Sequence, residues 1–402
     1  MPTEEIRQLI STVDRHSLRA PVSVFTKGWR TGLYTHQMEA IVEVITKGSG
    51  ILKLATGSGK TWIMGELCRK LIIRQGPIKR VLIVVPKIDL LQQTIQSISR
   101  YLADTDFTVD YVGNGRKTTI WADITIGLVG SLIKVQGLET IDYAIFDESH
   151  YYLNRSGITL YNKLVGVHLI TALSATPHFE EPVLNELVNT MFGDVLYEYT
   201  EKTAIDNQHI SQPRIELYTA PAGKCSPKWL YGAFDQFKYN MQIRSLIINN
   251  TARNQLIADL VASNLSTLII VSTINTQKNN HAEILRRLIA DKYPNKNIVV
   301  AKSNTNSCLD VLKQSNAIVI AGPKLVSAGT DIPYLERIVI TYGGSSINLL
   351  LQRVGRVLRR ANGKTCGVVI DFIDPMGWPA SQSKKRISTY KETYGAENVF
   401  IM

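Results

Sequence analysis

The chain has 402 residues, 45% of them hydrophobic, and its 45 Lys and Arg residues exceed its 34 acidic residues to give a formal net charge of +11. That length supports two ordinary hydrophobic cores, so we expect two domains. No apolar run is long enough to span a bilayer, and the N-terminus carries acids where a signal peptide carries bases, which argues against a membrane span and against secretion. The basic excess permits a polyanionic partner.

The cysteines are scattered along the chain and form no CxxC pair. This spacing favours reduced thiols in a cytoplasmic protein over a disulfide framework or a metal site. The four residues are Cys68, Cys225, Cys308 and Cys366.

The first 32 residues predict a short accessory segment, with a helix over 4–13 and a strand or loop from Pro21 to Trp29. Between 33 and 197, short apolar runs alternate with helical stretches, which is the pattern of a buried parallel sheet. The predicted strands are Gly50–Leu54, Val81–Val85, Ile124–Leu128, Tyr143–Phe146 and His168–Leu173.

The polar segment 198–212 predicts an irregular linker, and the same alternation resumes over 213–402. The strands predicted there are Thr267–Val271, Ile298–Ala301, Ala317–Ala321, Arg337–Thr341 and Gly367–Phe372. The predicted fold class is therefore α/β, with two tandem, doubly wound parallel-sheet lobes.

A glycine-rich turn, ATGSGKT, follows the first of these strands and opens a helix. Gly57 and Gly59 let successive backbone N–H groups face a phosphate chain, and the helix N-terminus adds positive potential. Lys60 is expected to reach the β- and γ-phosphates of ATP, and Thr61 to hold Mg²⁺. The residues predicted to bind the nucleotide in this loop are Thr56, Gly57, Ser58, Gly59, Lys60 and Thr61.

An acidic box, YAIFDESH, ends another apolar strand. Because the carboxyl ends of parallel strands share one edge of the sheet, these acids are expected beside the phosphate loop. Asp147 is a candidate ligand of Mg²⁺, and Glu148 a candidate base that orients and deprotonates the attacking water. His150 is expected to sense the γ-phosphate.

Further motifs follow in an order that resembles the superfamily 2 helicases of the DExH type. They cover nearly the whole chain and read GLYTHQ, VVPKIDLLQQ, YVGNGRK, GLVGSLIK, LSATP, LIIVST, VSAGTDIP and QRVGRVLRR. Within that superfamily the chain most resembles the branch-migration DNA helicases of the UvsW and RecG type. The resemblance implies two RecA-like lobes and an ATPase stimulated by nucleic acid.

The resemblance also implies roles for individual residues. Gln37 would clamp the adenine, Asp331 would contact the ribose, and Ser174, Thr176 and Gly329 would couple the ATP state to lobe closure. Gln352, Arg353 and Arg356 would act on the γ-phosphate from the second lobe. The spacing of Gln352, Arg356 and Arg359 is consistent with one face of a helix.

Small hydroxyls and cations in the nucleic-acid motifs are expected to grip the phosphates of one strand, without reading its sequence. The candidates are Lys87, Arg116, Ser131, Thr273 and Lys324. The aromatic stretch KWLYGAFDQFKYNM at 228–241 has two interpretations: an amphipathic helix that covers the second lobe, or a stacking wedge at a fork.

These observations predict an ATP-dependent DNA helicase or translocase that remodels forked or branched DNA. The alternatives are an RNA helicase, whose core motifs look the same, and an ATP-gated clamp or translocase that separates no strands. ATP and Mg²⁺ are the expected cofactors, and a nucleic acid is the expected partner of a monomeric, cytoplasmic protein.

Overall fold

The computed structural model describes residues 3–13, 28–72, 76–116, 122–176, 179, 181–230, 232–272, 280–301, 308–323, 332, 334–342, 344, 346–361 and 364–402. The chain divides into two compact units, Met1–Thr200 (unit 1) and Glu201–Met402 (unit 2). Within the described ranges, no helix combines the length and the apolar character that crossing a bilayer requires.

Unit 1 is built on a seven-stranded sheet with the order β3-β4-β2-β5-β6-β1-β7, in which every pair of neighbours is parallel. Strands β1, β2, β4, β5 and β6 consist almost entirely of buried residues, because helices cover both faces of such a sheet. The strands are β1 Gly50–Leu54, β2 Val81–Val85, β3 Val109–Val112, β4 Ile124–Leu128, β5 Tyr143–Asp147, β6 Leu169–Ser174 and β7 Val195–Tyr199.

The helices of unit 1 are α1 Thr3–Ser11, α2 Thr35–Lys47, α3 Lys60–Leu71, α4 Ile88–Tyr101, α5 Val129–Leu132, α6 Arg155–Lys163 and α7 Pro182–Phe192. The N-terminal helix α1 packs against α7, and Ile6 and Val13 belong to the same buried core as Phe146 and Phe192. Asn162 of α6 donates a hydrogen bond to the carbonyl of Thr12. The helix predicted over 4–13 therefore forms part of the unit 1 core.

Unit 2 repeats the arrangement with a second seven-stranded parallel sheet, ordered β10-β11-β9-β12-β13-β8-β14. Its strands are β8 Gln212–Thr219, β9 Thr267–Ile270, β10 Asn297–Ala301, β11 Ala317–Ala321, β12 Arg337–Ile340, β13 Cys366–Ile373 and β14 Val399–Ile401. Its helices are α8 Glu201–Asp206, α9 Pro227–Leu230, α10 Gln236–Gln242, α11 Thr251–Leu260, α12 His281–Lys292, α13 Ile347–Val357 and α14 Gly377–Tyr394, with a π-helix over Ile243–Ile248.

The predicted fold class is confirmed: two parallel sheets are interleaved with helices, as in two RecA-like lobes. Two local predictions are wrong. The segment 198–212 is not irregular, since it holds α8 and the ends of β7 and β8; its polarity is that of a partly solvated helix and strand ends. Arg359 does not share a helical face with Gln352, because α13 ends at Val357. The strand or loop predicted from Pro21 to Trp29 lies largely outside the described residues.

Candidate nucleotide site

The glycine-rich loop of unit 1 connects β1 to α3 through two residues with positive φ, Gly57 at 88° and Gly59 at 85°. A Cβ at Gly59 would lie 2.2 Å from the Gln37 amide nitrogen, so only glycine fits there. Helix α3 begins at Lys60, which places its N-terminus, with its affinity for anions, at the end of the loop. The predicted phosphate loop thus has the backbone that phosphate binding requires.

The GLYTHQ segment holds this loop from the side. Gln37 Nε2 donates to the Ser58 carbonyl at 3.0 Å, and the backbone N–H of Tyr34 donates to Gln37 Oε1 at 3.0 Å. His36 Nε2 lies 2.9 Å from the same carbonyl, and its ring stacks on Tyr199 with centroids 3.9 Å apart. Both ends of the Gln37 amide therefore contact unit 1 itself, in addition to the adenine contact that the resemblance implies.

The sheet order brings the acidic box next to the loop. Strands β5, β6 and β1 are neighbours, and their carboxyl ends carry Asp147, Ser174 and the phosphate loop. Asp147 is buried at the end of β5, and the Tyr152 hydroxyl lies 2.8 Å from its carbonyl and 2.9 Å from that of Val84, so its single proton is shared between the two acceptors. Tyr152 thereby fixes the end of β5 against β2.

Glu148 has a left-handed backbone, with φ 52° and ψ 57°. A non-glycine residue in this region costs roughly 1–2 kcal/mol, and such conformations concentrate at functional sites. The turn directs the Glu148 carboxylate to Lys60, whose Nζ donates to Oε1 at 2.6 Å. The two residues that the sequence assigned to phosphate binding and to water activation are thus in direct contact.

A chain of polar contacts continues from this pair. The Nδ1 atom of His150 lies 3.6 Å from Glu148 Oε2 and 3.3 Å from the Ser174 hydroxyl. That hydroxyl accepts a hydrogen bond from the backbone N–H of Thr176 at 3.1 Å. We call this series, Lys60–Glu148–His150–Ser174–Thr176, the polar relay; it joins the phosphate loop, the acidic box and the LSATP motif.

Burial sets the protonation preferences of this site. It raises the pKa of Asp147 from 3.8 to about 6, against the opposing effect of the Lys60 ammonium. It lowers the pKa of His150, despite the Glu148 carboxylate that favours the imidazolium. Both contacts are made by Nδ1, so the tautomer of a neutral His150 decides whether that atom donates a hydrogen bond or accepts one from the Ser174 hydroxyl.

The residues of this site fit a divalent cation. Asp147 Oδ1 is buried and has no hydrogen-bond partner among the described residues. A carboxylate oxygen left in that condition is costly unless a ligand satisfies it. Carboxylate and hydroxyl oxygens are the ligands that Mg²⁺ prefers, so Asp147 and Thr61, which follows Lys60 in α3, are the groups that would hold it, the carboxylate directly or through water.

The unit 2 candidates lie on α13, whose N-terminus the Ser346 side chain caps by accepting from the Leu349 N–H at 3.4 Å. Arg353 and Arg356 are almost fully buried and Gln352 is partly buried. Desolvation lowers the pKa of Arg353, while Tyr390 and Asp371 oppose that effect. Asp331, predicted to contact the ribose, and Gly329, predicted to couple the ATP state to lobe closure, lie outside the described residues.

The candidates for phosphate contacts have different surroundings. Lys87 caps α4 and its Nζ lies 5.0 Å from the centre of the Tyr151 ring, close to the acidic box. Arg116 forms an ion pair with Asp110 at 3.0 Å and covers the Tyr111 ring. Ser131 is partly exposed on α5. Thr273 and Lys324 lie outside the described residues.

Two residues of the site were not predicted from the sequence, Tyr152 and His36. Each acts on the position of a backbone segment rather than on a reacting atom, through the contacts given above. His36 lies within the GLYTHQ motif and Tyr152 two residues after the acidic box, and these positions are the signal that the sequence offered.

Comparisons with known sequences found a matching family and related proteins. Residues 30–179 match the family described as type III restriction enzyme, res subunit. The ATP-dependent DNA helicase uvsW of Enterobacteria phage T4 is 22% identical over 400 residues, which cover 94% of this chain and 76% of that protein.

Two solved structures have a similar fold. A fragment of a putative HsdR subunit of a type I restriction enzyme from Vibrio vulnificus YJ016 gives a TM-score of 0.66 at 17% identity, covering 93% of this chain and 68% of that one. Dbp5 from S. cerevisiae, bound to RNA and ADP BeF3, gives 0.58 at 15% identity, covering 92% and 93%.

Proposed function

We propose that the chain is a superfamily 2 helicase, and specifically an ATP-dependent DNA helicase or translocase that remodels forked or branched DNA. The observation that carries the proposal is the polar relay, because it connects the residue expected to bind phosphate with the LSATP motif expected to communicate its presence.

The first step follows from the Lys60–Glu148 ion pair. The γ-phosphate of ATP competes with the carboxylate for the Lys60 ammonium, and binding transfers the ammonium from one to the other. Glu148 is then available to orient a water in line with the γ-phosphate and to accept its proton. The ion pair thus keeps the base occupied until the substrate arrives.

Mg²⁺, when bound, neutralises charge on the β- and γ-phosphates. For this chain we propose that Asp147 and Thr61 hold it and that Thr56, Gly57, Ser58 and Gly59 contribute backbone contacts to the phosphates. Gln37 contacts the adenine. Because Gln37 also binds the Ser58 carbonyl, base recognition and loop position are linked through one side chain.

Release of Glu148 from Lys60 changes the charge next to His150 Nδ1. Because the same atom contacts the hydroxyl of Ser174 at the end of β6, the change reaches the start of the segment that follows β6. We propose that this couples hydrolysis to closure of the two lobes on one strand. Gln352, Arg353 and Arg356 stabilise charge on the γ-phosphate in the closed state, with Asp331 and Gly329 assisting. Lys87, Arg116, Ser131, Thr273 and Lys324 contact strand phosphates.

DNA is the favoured substrate because the similarity to uvsW, named a DNA helicase, extends over 94% of this chain. Two alternatives have support of their own. An RNA helicase is favoured by the fold shared with Dbp5, whose structure contains RNA. A translocase that separates no strands is favoured by the similarity to a protein named DNA 3'-5' translocase XPB2, from Sulfurisphaera tokodaii, which is 23% identical over 358 residues.

The test measures ATP hydrolysis without nucleic acid and with single-stranded DNA, single-stranded RNA, forked DNA and a four-way junction, alongside strand separation on the last two. The proposal expects DNA to stimulate hydrolysis more than RNA and expects strand separation that depends on ATP. Binding should weaken steeply with salt and depend little on base sequence, since phosphate contacts dominate. Stimulation by RNA alone supports the first alternative, stimulation without strand separation supports the second, and no stimulation by any nucleic acid rejects all three.

A further inference from the structure

Four aromatic rings lie together at the surface of unit 2, on the segment before the π-helix and at the start of α14. They belong to Trp229, Phe234, Phe237 and Trp378, and we call them the aromatic surface. We propose that this surface stacks against unpaired bases of a nucleic-acid strand. The inference rests on the proposed function and adds a base-binding site to a protein whose other predicted strand contacts are to phosphates.

The phenylalanines of this surface are unusually exposed. Phe234 is 64% and Phe237 61% accessible to solvent, although neither side chain has a polar atom. The aliphatic residues of the same region are turned the other way: Leu246 and Ile247 are buried in a cluster with Tyr239. Exposed apolar side chains gathered at one place mark a binding surface, and here the two exposed ones are rings.

The four rings form two pairs, and the rings of each pair contact edge to face. Trp229 and Phe237 have centroids 5.4 Å apart at 74°, and Phe234 and Trp378 have centroids 5.2 Å apart at 65°. In this geometry the edge of one ring meets the face of the other, so the pair occupies only part of each ring. Ring faces suit the π-faces of all four bases, which accounts for binding without sequence preference.

The surface stands on a rigid base. Gln242 is fully buried, and its amide accepts from the Trp378 N–H at 2.8 Å and donates to the Trp229 carbonyl. The Tyr239 hydroxyl lies 2.8 Å from that of Tyr342. One buried amide thus joins both parts of the aromatic surface, so that little conformational entropy is lost when a ligand binds.

The π-helix Ile243–Ile248 begins directly after this amide. Such helices are rare and occur frequently at functional sites, because the extra residue in the turn redirects the side chains around it. Here it follows α10 without a break, and it ends at Ile248, before α11.

The charge around the rings selects a polyanion. Lys224, Lys228, Lys238 and Arg244 carry four positive charges over the segment 224–244. Lys228 Nζ lies 4.5 Å from the centre of the Trp229 ring. The one acid of this segment, Asp235, accepts from the Lys238 N–H at 2.8 Å and caps α10. Rings flanked by cations are the combination that binds single strands, the rings taking the bases and the cations the phosphates.

These positions divide the two interpretations of the aromatic stretch between its residues. Tyr239 packs inward, as a helix that covers the lobe requires, whereas Phe234 and Phe237 face solvent, as a stacking surface requires. The segment is two short helices rather than one, with Gly232 at φ 103° in the turn between them.

The test compares binding of an oligothymidylate with binding of an abasic oligomer of equal length, which keeps the phosphates and lacks the bases. For the wild-type protein we expect tighter binding of the oligothymidylate. In the Phe234→Ala/Phe237→Ala variant that preference should fall by about tenfold or more, as expected for lost stacking. Affinity for the abasic oligomer should hardly change.

Two further variants separate stacking from general apolar contact. Phe234→Tyr/Phe237→Tyr should keep the preference, and Phe234→Leu/Phe237→Leu should lose it. Phe400→Ala removes a partly exposed ring on β14 and controls for the loss of a surface phenylalanine. Melting curves should be unchanged, since both Phe234 and Phe237 are exposed in the native state.

An unchanged base preference in the double alanine variant overturns the inference, and so does a leucine variant that behaves like the wild type, which indicates an apolar protein partner instead. Failure of the proposed function looks different: the wild-type protein then shows no stimulation of ATP hydrolysis by any nucleic acid. Normal stimulation together with an unchanged base preference rejects the stacking surface alone.

Discussion

Lys60 Nζ lies 2.6 Å from Glu148 Oε1, and the two side chains are only 13% and 15% exposed. In an ion pair shielded from water in this way, the attraction between the charges is less screened but is offset by their desolvation, and the larger effect comes from removing one partner, which leaves the other desolvated and unpaired. In the proposed mechanism, ATP replaces the Glu148 carboxylate with a phosphate at Lys60. Phosphate binding and release of the candidate base would then be a single event.

Lys60→Ala should abolish ATP hydrolysis, with a loss of about 100-fold or more, as when a charge-stabilising donor is removed. A steady-state ATPase assay measures it. Lys53→Ala is the matched control, because Lys53 also pairs with a glutamate at 2.6 Å but the pair is 28% and 45% exposed. Near-wild-type hydrolysis by folded Lys60→Ala would reject the assignment of the phosphate loop.

Glu148→Gln should bind ATP at least as tightly as the wild type while hydrolysis stalls, because the amide neither accepts the water's proton nor competes as an anion for Lys60. The measurement pairs nucleotide affinity with single-turnover hydrolysis. We also expect a long-lived complex with DNA in the presence of ATP. Normal turnover by this variant would move the role of the base to another residue.

The left-handed backbone of Glu148 predicts an unusual response to glycine. Glu148→Gly should be more stable than Glu148→Ala by about 1 kcal/mol, because glycine adopts positive φ without the steric cost that a Cβ imposes. Denaturant melts of the two variants provide the comparison. At Ala144, buried within β5, the order should reverse, and Ala144→Gly should be less stable than the wild type. A less stable glycine variant at 148 would contradict the backbone conformation.

Arg356→Ala should lose most of the DNA-stimulated rate, because an arginine that acts on the γ-phosphate stabilises charge that develops in the transition state. Nucleotide affinity should change much less. The assay is hydrolysis against DNA concentration, with Arg359→Ala as the control arginine beyond the end of α13. Full stimulation of the Arg356→Ala variant by DNA would show that Arg356 does not act on the γ-phosphate.

His281 predicts a pH dependence of stability in unit 2. It is fully buried on α12, its Nε2 lies 3.0 Å from Asn254 Oδ1, and desolvation lowers its pKa from 6.5 to about 3. Between pH 6.5 and about 3, the unfolded chain therefore binds more protons than the folded one. The free energy of unfolding falls as the pH drops below 6.5, by up to about 1.4 kcal/mol per pH unit.

The test measures denaturant melts of the full chain between pH 7 and the acid limit of its folded state. His281→Gln should flatten the slope, and His168→Gln in unit 1 controls for the loss of a histidine. An identical slope in wild type and His281→Gln would show that other groups set the acid sensitivity.

The sequence predicted the buried strands closely because a continuous apolar run has few alternatives in a parallel sheet; β1, β2, β4 and β11 begin and end where expected. It missed β3, β7, β8 and β14. Buried residues alternate with more exposed ones along β8, so the strand resembles a polar segment. A search for apolar runs does not detect a strand with one partly solvated face.

The site was predicted to a similar degree. The motif residues of unit 1 meet because the carboxyl ends of neighbouring parallel strands share an edge. The Lys60–Glu148 contact was not predicted, since it depends on the backbone turn at Glu148. The contribution of Tyr152 was also missed, because its hydroxyl reaches two carbonyls that are distant in sequence from each other.

Helix α1 makes the N-terminal residues unsuitable for trimming or exchange. Ile6 and Val13 each withdraw an apolar side chain from water in the core that also contains Phe146, one residue before the metal-binding candidate Asp147. Burying such a side chain is worth roughly 1.5–3 kcal/mol. A shortened protein that starts at Gly28 would therefore expose the apolar residues of α7 that α1 covers. We expect such a protein to self-associate during purification.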